Sequence, residues 1–192
     1  MTSRILTIPN LLTLLRLIIV PFFLVASMRG MFVLALGLFV TAAVTDVFDG
    51  FIARRLNQRS RLGAILDPGA DKIMMICGYL FYTFGDGVGV RIPTWLTFVI
   101  FIRDFLIITF AYLLYTRISV RRFPPSPAGK ASTLLQAINL AATIAANGAI
   151  PQLRPALDIL FRVTLVVTLF SAWDYLRRGE RLLEDGVRAS EA

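Results

Sequence analysis

Histidine is absent from the 192 residues, and cysteine occurs once, at Cys77. The first absence removes Ser-His-Asp catalysis, imidazole general bases and imidazole metal sites. The second removes any intrachain disulfide and any multi-thiolate zinc site. Cys77 lies in an apolar stretch and reads as a small packing residue. Charge is also scarce: Asp, Glu, Lys and Arg make up 17% of the chain, against about 25% in soluble domains. Apolar residues reach 57%, where about 45–50% is usual. So short a chain cannot hide that much apolar surface in a core of its own, so lipid is the expected solvent. No repeat, low-complexity tract or separate polar domain interrupts it, and one integral membrane domain over 1–192 is expected.

A bilayer core takes about 20 mostly apolar residues per helix. Six stretches meet that length, at 10–28, 31–55, 63–85, 93–115, 130–150 and 155–177. The fold class expected is all-α, a polytopic membrane protein of six helices. Arg4 alone precedes the first stretch and Arg16 interrupts it, a poor match to a cleaved signal. Arg4, Arg54, Arg55, Arg59, Arg61, Arg117, Arg121, Arg122, Lys130, Arg177, Arg178, Arg181 and Arg188 fall on one set of loops and ends, while the alternate loops hold only Arg29, Arg91 and Arg154. That asymmetry places both termini on the cytoplasmic side of a cell's inner membrane. The net charge of +8 therefore reads as topology and attraction to anionic headgroups rather than nucleic-acid binding. Pro93 is expected to open the fourth helix, Phe123–Pro127 to form a stiff non-helical loop, and 179–192 to be a frayed helix end.

Asp46, Asp49, Asp67 and Asp71 lie in or beside apolar segments, where a carboxylate is costly and usually functional. Asp46 and Asp49 are three apart and share a helix face. Asp67 and Asp71 are four apart and share a face on the next helix. A short connection makes these helices antiparallel neighbours, so the two pairs can face each other. Four ionised carboxylates would repel one another, and divalent cations relieve that repulsion. Oxygen-only ligands favour a hard ion, Mg²⁺, Mn²⁺ or Ca²⁺. Four carboxylates suffice for two ions at about 3.5–4 Å, an arrangement suited to phosphoryl displacement. Gly50 and Gly63 remove side chains where a nucleotide would approach the backbone. Arg54, one turn beyond Gly50, can clamp a diphosphate.

Read together, Asp46, Asp49, Gly50, Ala53, Arg54, Gly63, Asp67 and Asp71 fit D-x2-D-G-x2-A-R-x8-G-x3-D-x3-D at every fixed position. This run resembles the signature of the CDP-alcohol phosphatidyltransferase family. The resemblance implies that Asp46, Asp49 and Asp67 bind a pair of Mg²⁺ or Mn²⁺ ions, with Asp71 as a further ligand or the general base. It implies that Gly50, Ala53, Arg54 and Gly63 line the CDP pocket, that CDP-diacylglycerol is the donor, and that the enzyme is a homodimer.

The segment IPNLLTLLRLIIVPFFL at 8–24 resembles phosphatidylglycerophosphate synthases, whose acceptor is glycerol 3-phosphate. Arg103-Asp104 departs from their usual Arg-Glu, and PSPAGKASTLLQ at 125–136 is closer to CMP-forming cardiolipin synthases, whose acceptor is phosphatidylglycerol. Both acceptors carry phosphate, so Arg103, Arg121 and Lys130 are candidate cations for it. Lys130 and Thr133 share a helix face. Asp104 is expected to pair with an arginine, and Arg16, Arg162 and Asp174 to pair between helices. An ion or proton transporter is the alternative of a different class, but it has no need of Asp-Gly followed by Ala-Arg, and no inverted repeat is visible.

Overall fold

The computed structural model describes residues 8–56, 63–118 and 126–191, with side chains described over 14–45, 72–110 and 126–179. Among the described residues there are six α-helices, one 3-10 turn at Pro151–Leu153 and no strand. The helices are α1 (Ile8–Met28), α2 (Phe32–Leu56), α3 (Gly63–Phe84), α4 (Thr94–Ile118), α5 (Pro127–Asn147) and α6 (Arg154–Glu191). Each of the six expected stretches corresponds to one helix, and the main departures are in the bounds of α4, α5 and α6. Pro93 does not open α4, which begins at Thr94; it flanks the helix, its C=O accepting from Leu96 N–H at 3.0 Å and Thr97 N–H at 3.3 Å. Helix α5 begins at Pro127, because proline at the first helical position loses only an N–H that has no intrahelical partner. Helix α6 continues to Glu191, past the expected end at 177. The remainder of the expected proline loop, 119–125, lies outside the described residues.

The chain divides into two compact units, 1–92 with 140–154, and 93–139 with 155–192. In the first, α1 packs on both α2 and α3. Its buried residues, Arg16, Ile19, Val20, Phe23, Ala26 and Ser27, recur every three or four positions and form one face. The next element enters by a tight turn. Met31 N–H donates to Ala26 C=O at 2.9 Å and Gly30 N–H to Ser27 C=O at 3.1 Å. This Schellman pattern needs a left-handed residue, supplied by Gly30 at φ 70°. Above the turn, Phe23 meets Phe39 of α2 at 6.2 Å and Tyr82 of α3 at 6.5 Å between ring centroids, and Phe32 meets Tyr82 at 6.2 Å. The Ser27 and Tyr82 hydroxyls are 3.2 Å apart. The C-terminal ends of α1 and α3 therefore lie together beside the start of α2, so α1 and α3 run parallel and α2 antiparallel to both.

The connection after α3 is held by Asn147, at the end of α5. Its carboxamide accepts from Val90 N–H at 2.8 Å and donates to Val90 C=O at 2.9 Å. A side chain here does what a neighbouring strand would do for a stretch of irregular backbone.

The second unit is polar inside. Ser132, Gln136 and Asn139 of α5 and Thr164, Thr168 and Ser171 of α6 are buried, each set at four-then-three spacing. Ser132 and Thr168 hydroxyls are 3.2 Å apart, Gln136 donates to Ser132 at 3.1 Å, and Asn139 donates to Thr164 at 3.1 Å. Phe105, Ile108, Leu134, Ile159 and Val166 are exposed in the same unit, and Phe22 and Val33 in the first. Polar groups inside and large apolar groups outside invert the pattern of a water-soluble protein. Among the described residues, Pro151–Gly179 is long and apolar enough to cross a membrane, and shorter apolar stretches lie at Leu14–Met28, Phe32–Thr45 and Lys72–Phe84.

Asn147→Ala should cost roughly 1–3 kcal/mol, because it leaves both Val90 backbone groups without the carboxamide. Unfolding of the purified chain in detergent measures this, and an unchanged midpoint would show that the clasp carries nothing.

Candidate functional site

The helix pair that carries the aspartates belongs to the first unit. The buried face of α2 runs through Ala35, Phe39 and Ala42. Continued at the helical period, that face reaches positions 46, 49/50 and 53/54, so Asp46, Asp49, Gly50, Ala53 and Arg54 follow the core stripe along the helix. The buried face of α3 runs back from Tyr82 through Gly78 to Met74. The same period continues it to positions 71, 67 and 63, which are Asp71, Asp67 and Gly63. The side chains of these eight residues lie outside the described ones. Their backbone lies within α2 and α3.

The contacts above the turn also set the depth of these positions. Seven residues back from Phe23 on α1 matches seven residues on from Phe39 on the antiparallel α2, which puts Arg16 level with position 46. Eleven residues back from the Ser27–Tyr82 pair on the parallel helices puts Arg16 level with position 71, and the Phe23–Tyr82 ring pair gives a level about one turn away, at Met75. Positions 46 and 71, on separate helices, therefore share a depth within about one turn. Arg16 stands at that depth on α1 and is only 1% exposed.

The donor chemistry at these positions fits hard divalent ions. They offer carboxylate oxygen only, and the chain has no imidazole to compete. Among the described residues no group of three or more acidic or cysteine side chains is placed to hold a metal.

The expected acceptor cations fall in the second unit. Arg103 of α4 is buried. It donates to Asp104 at 2.8 Å and to Ser171 of α6 at 2.6 Å, so Asp104 pairs with an arginine as expected. Gly129 lies against this arginine: a Cβ there would sit 3.3 Å from an Arg103 terminal nitrogen and 3.3 Å from Ser126 Oγ. Ser126 caps α5, its hydroxyl accepting from Gly129 N–H at 2.9 Å. Lys130 is exposed on the first turn of α5, beside Thr133, whose hydroxyl donates to Gly129 C=O at 3.1 Å. Arg121 lies outside the described residues. Asp174 accepts from Arg178 on its own helix at 3.0 Å, a pair one helical turn apart, and also interacts with the Ser126 hydroxyl at the start of α5. The interhelical pair expected of Arg162 is not what the structure shows, its side chain being exposed. The reading by residue type missed the Ser126–Gly129–Arg103–Ser171 node; its sequence signal was a serine three residues before a glycine at a helix start, together with the 3–4 spacing of hydroxyls on α6.

The family model described as CDP-alcohol phosphatidyltransferase matches residues 6–173. The chain belongs to this family. Members of the CDP-alcohol phosphatidyltransferase family are membrane-associated and generally depend on divalent metal. The chain is 34% identical over 198 residues to the human protein named cardiolipin synthase (CMP-forming), an alignment covering 93% of this chain and 63% of that protein. It is 34% identical over 179 residues to the Aquifex aeolicus CDP-diacylglycerol–glycerol-3-phosphate 3-phosphatidyltransferase, covering 92% of this chain and 97% of that one. It is 32% identical over 186 residues to a probable phosphatidylglycerophosphate synthase of Mycobacterium tuberculosis, covering 93% of this chain and 84% of that one. The chain thus spans less than two thirds of the human relative's length.

Ser171→Ala removes the 2.6 Å acceptor from a buried guanidinium and should cost roughly 1.5–3 kcal/mol. Ser132→Ala, which breaks a neutral hydroxyl contact to Thr168 of α6 and an amide bond from Gln136 on its own helix, should cost only about 0.6 kcal/mol. Equal losses in an unfolding assay would show that Arg103 draws nothing special from α6.

Proposed function

We propose that this chain transfers the phosphatidyl group of CDP-diacylglycerol to glycerol 3-phosphate, releasing CMP and forming phosphatidylglycerophosphate. One observation carries the reading. The sequence meets all eight signature positions, and the helical period carries the described buried stripes of α2 and α3 on toward them. Full-length similarity to the Aquifex aeolicus enzyme supports glycerol 3-phosphate as the acceptor. Similarity to the human cardiolipin synthase, with PSPAGKASTLLQ at 125–136, favours phosphatidylglycerol as the second reading.

Asp46, Asp49, Asp67 and Asp71 would hold two Mg²⁺ or Mn²⁺ ions. When bound, these ions neutralise the diphosphate of the donor. Arg54 pairs with that diphosphate, and Gly50, Ala53 and Gly63 leave room for the nucleotide against the helix backbone. Asp71 accepts the proton of the acceptor hydroxyl. The freed oxygen forms a bond to the phosphorus of the phosphatidyl group as the phosphoanhydride bond breaks, and CMP carries away the electron pair. Arg103, Lys130 and Arg121 are the cations proposed for the acceptor's phosphate. Positioning and electrostatics account for most of the rate.

The chain works as one catalytic domain of six spans in an inner membrane, with both termini cytoplasmic, as a homodimer. Helices of 21 to 38 residues are long enough at about 1.5 Å per residue for a core of about 30 Å, and their exposed apolar faces suit lipid.

Purified protein should release CMP from CDP-diacylglycerol with Mg²⁺ or Mn²⁺ and glycerol 3-phosphate, with phosphatidylglycerophosphate identified by lipid mass. Product only with phosphatidylglycerol would install the second reading. Cation flux into liposomes without CMP release would replace both with a transporter. Asp71→Asn should lower turnover by about 10²–10⁴-fold while sparing CDP-diacylglycerol binding; retained turnover removes Asp71 as the base. Asp49→Asn should lose metal and activity together, and unchanged metal affinity counts against its role as a ligand.

A further inference from the structure

Arg16 has no part in the mechanism above, yet it is the most deeply buried charge described in the first unit, at 1% exposure. It shares the buried stripe of α1 with Ile19, Val20 and Phe23, so it faces the helices that α1 packs against, α2 and α3. An arginine cannot escape burial by losing its proton, and a buried charge without a counter-charge is strongly destabilising. Arg16 is in fact engaged in a polar or electrostatic contact.

Within its own unit the choice of counter-charge is narrow. The first unit, 1–92 with 140–154, contains five acidic residues: Asp46, Asp49, Asp67, Asp71 and Asp86. Asp86 is exposed in the turn after α3, at the Tyr82 end of the helix. Arg16 lies eleven residues from that end along α1, or about 16 Å at the helical rise. The remaining four are the signature aspartates, and the register of α1 against its neighbours puts Arg16 level with positions 46 and 71.

We infer that Arg16 is a positioning residue whose guanidinium is the built-in counter-charge of the aspartate cluster, held by α1 at the level of positions 46 and 71. This rests on the reading that the four aspartates form one cluster. A fixed cation there keeps the carboxylates from splaying apart when no divalent ion is bound, so the ligands stand ready when one arrives. Buried as it is, Arg16 acts through the aspartates and not by touching either substrate.

The test is a pair of double-mutant cycles on the purified full chain in detergent, stripped of metal and followed by thermal unfolding. Arg16→Gln should lower the midpoint by roughly 5 °C or more, and Arg16→Lys by less. Mg²⁺ should shrink the deficit, which a loss of packing alone would not allow. Adding Asp46→Asn or Asp71→Asn should cost the Arg16→Gln chain less than it costs wild type, a coupling of about fivefold or more in the unfolding constant. Should Arg16→Gln fail to fold, the same cycles with Arg16→Lys decide the matter. Additive losses in both cycles, or equal losses with and without Mg²⁺, overturn the inference and leave Arg16 as packing. In the CMP-release assay, Arg16→Gln should lower kcat about tenfold with KM for CDP-diacylglycerol within about twofold. The unfolding cycles need no substrate. A wild-type chain that shows the coupling but never releases CMP would refute the transferase reading alone.

Discussion

Charge carried into a bundle whose outer faces are apolar is the constraint on which the rest of this molecule depends. Phe22, Val33, Phe105 and Ile159 stand on the outside, while Arg16, Arg103, Gln136 and Asn139 are buried. In water that arrangement would be unstable. With lipid as solvent, the outside needs no polar cover, and every charge brought inside must find its partner within the bundle. Arg103 finds Asp104 and Ser171. The four signature aspartates require divalent ions in the proposed reaction and, on the inference above, Arg16 between turnovers.

The two units meet this constraint by different means. The first is built around an aromatic cluster, Phe23, Phe32, Phe39 and Tyr82, close to the α1–α2 turn. That cluster sets the relative depth of three helices, and the aspartate positions follow from it at their opposite ends. Apolar packing at one end thus sets the backbone level of positions 46 and 71 at the other. The second unit is joined by hydroxyls and carboxamides along α5 and α6, and each such bond contributes little in a membrane. What those bonds contribute is register, since a slip of one residue would strand several buried polar groups at once. The α5 N-terminus is located in this way, with Ser126 as its cap and Gly129 against Arg103, and it carries Lys130 on its first turn.

Membership of the CDP-alcohol phosphatidyltransferase family gives the signature its chemical sense. Relatives named as a cardiolipin synthase and as a glycerol-3-phosphate 3-phosphatidyltransferase align with most of this chain. In the proposed reaction the donor is held by one pair of helices, and the proposed acceptor cations, Arg103, Arg121 and Lys130, lie elsewhere in the sequence.

Residue order alone was enough for the six helices and for the eight-position signature of a family that generally depends on divalent metal. These properties are local. Helix formation follows apolar runs of sufficient length, and i,i+3 and i,i+4 spacing sets which positions share a helix face. The Arg103–Asp104 pair was legible from the sequence, but the second contact of Arg103, with Ser171 sixty-eight residues away, was not. Asp174 was expected across helices; it pairs with Arg178 one turn along its own helix and also interacts with Ser126 at the start of α5. Depth is the property that only the tertiary structure decided. The Phe23–Phe39 and Ser27–Tyr82 contacts bring Arg16 level with positions 46 and 71. Periodicity fixes where a side chain stands around its own helix, and only packing against another helix fixes how far along the pair they meet.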